Sequence, residues 1–322
     1  MATAPDTREG SQRGGRPPAR PFVMPATLGG KLRVWRFLIA RRAVQAGLLL
    51  LFFGSLHWGW SLFGRLLLVG NYSASEVLGL VPLADPFAVL QTVLTGYFPT
   101  AEVLIGGGLV LLFYGVVGGR TWCAWVCPMN LVTDAAAWLR KRLKVRDLAN
   151  VTRKVRYGVL ALTLVLSALA GVAAFEWVSP ISMFHRELLF GAGIGWAAVL
   201  GVFLFDALVL RDGWCGHLCP LGAFYAVLGE RTAQVRVAFV DERCSRCGEC
   251  VRVCPEPQVL NFKKAAEAGM VASGECINCG SCIPVCPEDA LRFDWRHRIV
   301  AARRAGDSGL EKSQVPPKRR VA

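Results

Sequence analysis

Eight cysteines near the C-terminus repeat one spacing, and that spacing leaves few folds open. Cys244, Cys247, Cys250 and Cys254 read C-x2-C-x2-C-x3-C-P, and Cys276, Cys279, Cys282 and Cys286 repeat the run with Pro287 after the last. Three thiolates, each separated from the next by two residues, wrap a tight loop around three corners of a cube, and backbone N–H groups of the loop point at the sulfurs. The proline turns the chain away, so that the fourth thiolate reaches a neighbouring cube. This is the ligand pattern of paired [4Fe–4S] clusters in which each run lends its fourth cysteine to the other cluster. The expected partition is Cys244, Cys247, Cys250 and Cys286 on one cluster, and Cys276, Cys279, Cys282 and Cys254 on the second. A zinc ribbon would use two C-x2-C pairs, not two triplets each followed by C-P. The spacing implies one-electron chemistry.

The rest of the chain is too apolar for a soluble globular protein: 53% of its 322 residues are hydrophobic. About 20 apolar residues span a bilayer as a helix, and four segments qualify, 43–64, 101–118, 157–178 and 189–210. Backbone groups in lipid must be satisfied within the segment, so these are read as helices. The net charge of +14 does not indicate nucleic acid, because the basic residues flank the apolar runs. Nine lie between Arg8 and Arg42 and nine between Arg120 and Arg156, whereas the two opposite connections carry only Arg65 and Arg186. The positive-inside rule then puts both termini in the cytoplasm, where a reducing environment keeps thiols available to iron. The expected fold is an integral membrane α-helical protein with four transmembrane helices, followed by a small α+β domain of the bacterial 2[4Fe–4S] ferredoxin type. Its expected parts are a disordered tail at 1–30, a membrane domain at 31–230 with two C-x3-C-P motifs, the dicluster domain at 231–300 and a flexible tail at 301–322. The fairly apolar stretch 66–94 contains Asn71, Glu76, Pro82, Asp85 and Pro86, and reads as an outer-face connection with amphipathic or re-entrant parts.

The other four cysteines also form a repeat. Trp122-Cys123-Ala-Trp-Val-Cys127-Pro128 follows the second apolar segment, and Trp214-Cys215-Gly-His-Leu-Cys219-Pro220 follows the fourth. On an α-helix, residues four apart share a face, so each pair presents two thiols, and the two pairs together suggest one four-sulfur site. Its candidate roles are an additional metal or cluster site, a redox dithiol, or contact with a partner. The spacing C-x3-C is not the redox-dithiol spacing C-x-x-C, which favours metal, cluster or partner contact.

Four spans, W-C-x3-C-P after the second and fourth, and a C-terminal pair of cluster runs together resemble the NapH-type membrane ferredoxins of periplasmic nitrate reductase systems, related to MauN of methylamine utilisation. The resemblance covers roughly residues 31–295. It implies a quinol dehydrogenase subunit of the bacterial inner (cytoplasmic) membrane that takes electrons from quinol toward a periplasmic reductase. It also implies partners of two kinds, a periplasmic iron–sulfur subunit (NapG type) or a membrane multihaem cytochrome (NapC type). No C-x-x-C-H haem motif is present, so any haem belongs to a partner. The competing reading is a ferredoxin-type assembly or regulatory factor that supplies electrons for metalloenzyme maturation.

Polar residues inside spans are functional candidates by default. His57, between Leu56 and Trp58 at the outer end of the first span, is the leading candidate for quinol contact. Asp85, Glu102, Glu176, His185 and Asp206 are further candidates, each with the competing reading of an interfacial or structural residue. His217 and His297 carry no assignment.

Overall fold

The computed structural model describes residues 21–304 apart from 150 and 192, so residues 1–20 and 305–322 of the expected tails lie outside the described residues. Helix α1 (Leu28–His57) is capped by Thr27, whose hydroxyl accepts from the Gly30 amide, and therefore begins before the expected end of the tail at residue 30. Two short antiparallel pairings follow. Strand β1 (Ser61–Leu62) pairs with β2 (Arg65–Leu66), and β3 (Leu68–Gly70), β4 (Ala74–Val77) and β5 (Val81–Ala84) form a three-stranded meander. The Asp85 carboxylate then caps α2 (Pro86–Leu94), with Pro86 in the first turn, where the missing N–H costs nothing. The stretch 66–94 is thus a folded unit, and its β5 and α2 pack on α3 (Ala101–Val117).

Helix α4 (Thr121–Trp125) carries the first C-x3-C-P motif into α5 (Met129–Leu143). The basic last turn of α5, Arg140 to Arg142, complements the negative end of the helix dipole. Then come α6 (Val155–Ala170), α7 (Ala174–Val178), α8 (Pro180–Phe190) and α9 (Gly195–Leu204), which runs into a π-helical turn at Phe205–Val209. A second π-helical turn, Trp214–Leu218, leads to α10 (Pro220–Thr232).

Among the described residues, α1 alone is long and apolar enough to cross a membrane. Against the expectation of four spans, 101–118 gives the 17 residues of α3, about 25 Å at ~1.5 Å per residue, where a bilayer core needs about 30 Å. Gly171 interrupts 157–178 and Gly191 interrupts 189–210, leaving apolar helices of intermediate length.

The C-terminal unit is bracketed by β6 (Val235–Phe239) and β7 (Leu291–Trp295), antiparallel with Val235 opposite Trp295 and Phe239 opposite Leu291. Between them lie both cluster runs and two helices, α11 (Glu249–Val253) and α12 (Phe262–Ala268). Helix α13 (Arg296–Arg304) follows, so regular structure extends four residues into the segment read as a tail at 301–322. Val237, Phe239, Val271 and Leu291 form the core of this unit together with Cys244, Cys250 and Cys282. Phe37 of α1 joins that core, edge-on to Phe293, which ties the first helix to the dicluster unit.

Candidate functional site

The two cysteine runs fold as copies of one loop. In each, the residue two after the first cysteine and the residue four after it have positive φ: Arg246 and Gly248 in the first run, Asn278 and Gly280 in the second. The left-handed turns hold the loop close around a centre, and glycine takes that conformation without a Cβ penalty. Amide groups are directed at sulfur as the spacing predicts, with Arg246 N–H donating to Cys244 Sγ at 3.4 Å and Ala290 N–H to Cys286 Sγ at 3.3 Å.

Two cavities sit inside these loops. One is lined by Cys254, Cys276, Cys279 and Cys282. The other is lined by Cys244, Cys247, Cys250 and Cys286. The fourth cysteine of each run thus lies with the first three of the other. None of the twelve cysteines is in a disulfide. Among the described residues, no three His, Cys, Asp or Glu side chains converge tightly enough to hold one metal ion. Four thiols spread around a cavity are a donor set suited to the corners of a cube. Burial pushes the Cys276 thiol up to about 11 and the Cys250 thiol up to about 12, and ligation to a cationic centre is what deprotonates such a thiol.

The W-C-x3-C-P motifs depart from the expected geometry. Neither is an α-helical i, i+4 pair. The Cys127 amide donates to the Trp122 carbonyl at 3.0 Å and the Cys219 amide to the Trp214 carbonyl at 2.9 Å, so each motif is a wide turn closed five residues back. The cause is the proline: the residue before proline avoids the α region, and Pro128 and Pro220 each start a new helix. The two motifs nevertheless meet. Cys127 and Cys219 are buried in one core cluster, burial and then the neighbouring Cys219, Cys127 and Cys123 thiols push the Cys215 thiol up, and burial raises the Cys219 thiol to about 11. Gln45, fully buried in α1, donates to the carbonyls of Ala124 and Cys127 at 3.1 and 3.2 Å.

These cysteines abut the cavity lined by Cys254, Cys276, Cys279 and Cys282. Cys123 and Trp125 pack with Ile277 and Cys279, and Trp125 Nε1 donates to the Asn278 carbonyl at 3.1 Å. A buried ionic network reinforces the junction. Arg120 and Arg156 donate to Glu256 at 2.7 and 2.9 Å, Arg153 also pairs with Glu256, and Arg156 pairs with Glu275 at 2.6 Å. Burial alone would raise the Glu256 carboxyl, but Arg120, Arg156 and Arg153 outweigh it and bring it down to about 2. The positive-inside rule gives Arg120, Arg153 and Arg156 only an orienting role, not this one. The available signal was an acidic residue beside a ligand in each run, Glu256 two after Cys254 and Glu275 just before Cys276.

The other candidates scatter. His57 Nε2 donates to the Leu189 carbonyl at 2.7 Å and its ring lies against Phe53, which fastens the end of α1. Asp85 is buried as the cap of α2, 3.5 Å from the Tyr225 hydroxyl. Glu176 accepts from Ser73 at 2.6 Å and from Ser182 at 3.3 Å. Asp206 accepts from the Trp214 amide at 2.8 Å, bracing the second motif. Glu102 and His297 are exposed, and His217 is buried, 3.3 Å from the Asp212 carbonyl. His185 is buried against Phe52 and Tyr72. Tyr72 in turn meets Trp122 edge-on at 5.9 Å, so the connection expected on the far face reaches the first thiol motif.

Paired thiol-lined cavities in a bracketing two-stranded sheet define a ferredoxin-type iron–sulfur electron-transfer protein. A family described as 4Fe-4S dicluster domain matches residues 236–287, and one described as 4Fe-4S binding domain matches 100–146 and 188–234, the two W-C-x3-C-P regions. The chain is 44% identical to the methylamine utilization ferredoxin-type protein MauN of Methylorubrum extorquens over 76% of this chain and 84% of that one. It is 43% identical to the ferredoxin-type protein NapH of Haemophilus influenzae over 70% and 77%, and 42% identical to NapH of Escherichia coli over 72% and 79%. The chain belongs to this family of NapH and MauN ferredoxin-type proteins. No solved structure matches it.

Proposed function

We propose that the chain is the quinol-oxidising component of a membrane-bound electron-transfer system. In this reading it spans the bacterial inner membrane four times, with both termini cytoplasmic, and passes electrons toward a periplasmic reductase such as nitrate reductase. The observation that carries the proposal is the contiguity of the sulfur sites: the first W-C-x3-C-P motif shares a core cluster with Ile277 and Cys279 of the cavity of Cys254, Cys276, Cys279 and Cys282, and Trp125 donates to the Asn278 carbonyl there. The eight cysteines of the dicluster unit would hold two [4Fe–4S] clusters with exchanged fourth ligands. When bound, such clusters accept and release electrons one at a time. Cys123, Cys127, Cys215 and Cys219 would hold a further metal or cluster, in keeping with the family that matches their two regions.

Exposed apolar surface supports the membrane setting. Leu109, Leu112 and Phe113 of α3 and Leu162, Leu166 and Leu169 of α6 point outward, and soluble proteins rarely leave such bands uncovered. Tyr72, from the far-face connection, meets Trp122, and Trp122 stacks with Tyr225 at 6.3 Å. This aromatic contact shortens the distance between the outer face and the thiols, which a cytoplasmic cluster domain serving a periplasmic acceptor requires. His57 is the proposed quinol contact, and partners of the NapG or NapC type would complete the route.

The test is anaerobic electron paramagnetic resonance of the purified protein after addition of a reduced quinol. Cluster signals that grow with quinol support the reading. Signals obtained with dithionite but never with quinol would move the function to electron supply for metalloenzyme maturation.

A further inference from the structure

Arg120 touches more of the sulfur machinery than any spacing argument would assign to it. Its side chain is 2% exposed. One guanidinium nitrogen donates to Glu256 at 2.7 Å and to the Glu275 carbonyl at 2.9 Å, and the other donates to the Cys215 carbonyl at 3.3 Å. The Cys123 thiol lies beside it. Glu256 stands two residues after Cys254, and Glu275 immediately precedes Cys276. A single fixed charge therefore bridges both W-C-x3-C-P motifs and both ends of the cysteine set Cys254, Cys276, Cys279 and Cys282. The surrounding network contains three guanidiniums, Arg120, Arg153 and Arg156, against two carboxylates, Glu256 and Glu275, which leaves one net positive charge in a buried place. Of these five residues only Glu256 lines the cavity of Cys254, Cys276, Cys279 and Cys282, so Arg120 acts from behind it. The cavity of Cys244, Cys247, Cys250 and Cys286 has none of the five and carries Arg246 in its wall.

We infer that Arg120 is a positioning residue that raises the reduction potential of the centre held by Cys254, Cys276, Cys279 and Cys282 above what it would be without this charge, and couples it to the four-thiol site. The inference rests on the ligand reading proposed above. Adding one electron to that centre adds one negative charge, and a buried, desolvated positive charge stabilises the reduced form over the oxidised one. As a general scale, a unit charge acting over roughly 10 Å in an effective dielectric of about 20 changes the ratio of the two forms by about tenfold, which is about 59 mV for a one-electron couple. The raised potential would favour holding an electron on this centre, beside Cys123.

The experiment is an anaerobic potentiometric titration of the full-length protein in detergent, followed by paramagnetic resonance, on wild type, Arg120→Gln, Arg120→Lys and Glu275→Gln. Signals are assigned with Cys254→Ser and Cys286→Ser, each of which should remove a different centre. If those two variants do not separate the centres, the ligand reading fails and the inference falls with it. Once they separate, Arg120→Gln should lower the midpoint of the Cys254-linked centre by the equivalent of about tenfold and leave the other unchanged. Arg120→Lys should restore most of the shift, and Glu275→Gln, which removes a negative charge, should move the same midpoint upward. Should Arg120→Gln fail to assemble the centre, the sign in Glu275→Gln decides alone. Equal shifts at both centres, no rescue by lysine, or a downward or absent shift in Glu275→Gln would show that the network is only structural.

Discussion

Replacing Glu256 by Gln should loosen the junction between the dicluster unit and the first 230 residues. Glu256 is the acceptor shared by Arg120, Arg153 and Arg156, and its own side chain is 4% exposed. In the folded chain its carboxyl sits at about 2 against an ordinary 4.5, a difference worth about 3 kcal/mol at ~1.4 kcal/mol per pH unit. Breaking a buried ion pair from one side typically costs about 3–5 kcal/mol, which agrees. The sign follows from linkage. A carboxyl held below its unfolded value contributes stability that is complete above about pH 4.5 and is lost as the pH falls toward about 2. At neutral pH the glutamine variant lacks all of it. Thermal unfolding followed by tryptophan fluorescence in detergent should therefore show a melting temperature lower by roughly 6–12 °C at pH 7, using about 2–4 °C per kcal/mol. The gap to wild type should close progressively below pH 4.5. A variant that melts within a degree of wild type at pH 7, or a gap that stays constant into acid, would refute the reasoning.

Three other substitutions probe separate parts of the account. His57→Leu should slow quinol-dependent reduction while both clusters remain assembled, and wild-type rates in that variant would remove His57 from the mechanism. Cys219→Ser should leave the dithionite-reduced signals of the dicluster unit intact and depress their reduction by quinol; full quinol reduction would take the four-thiol site off the path. In Gly280→Ala, the new Cβ would stand 2.7 Å from the Phe37 ring at a residue with φ +73°. With about 1–2 kcal/mol for the left-handed conformation alone, it should lower thermal stability by roughly 1–3 kcal/mol, and unchanged melting would contradict the close approach of α1 to the cluster loop.

What the sequence disclosed depended on how local the information was. The cluster runs were legible because ligand spacing is written in consecutive residues, and the same left-handed positions recur in both loops. The convergence of the twin W-C-x3-C-P motifs was also legible, from their symmetry. Their internal geometry was not, because the i, i+4 argument ignores the proline that ends each turn. Hydropathy found the apolar segments but not the breaks near Gly171 and Gly191, which cost a helix little in a window average. It also hid the fold of 66–94, whose strands and capped helix are held by α3. Long-range polar contacts were the least accessible. Nothing local announces that Gln45 reaches the Cys127 carbonyl, 82 residues away, or that Arg120 reaches Glu256, 136 residues away.

Everything proposed here stands on eight thiols holding two cubes by exchanging their fourth ligands. Iron analysis and paramagnetic resonance of anaerobically purified protein carrying Cys254→Ser or Cys286→Ser test this most directly. The account predicts that Cys286→Ser damages the centre of Cys244, Cys247 and Cys250 and spares that of Cys276, Cys279 and Cys282, and that Cys254→Ser does the reverse. If each substitution instead removes the centre of its own run, the crossed arrangement is wrong.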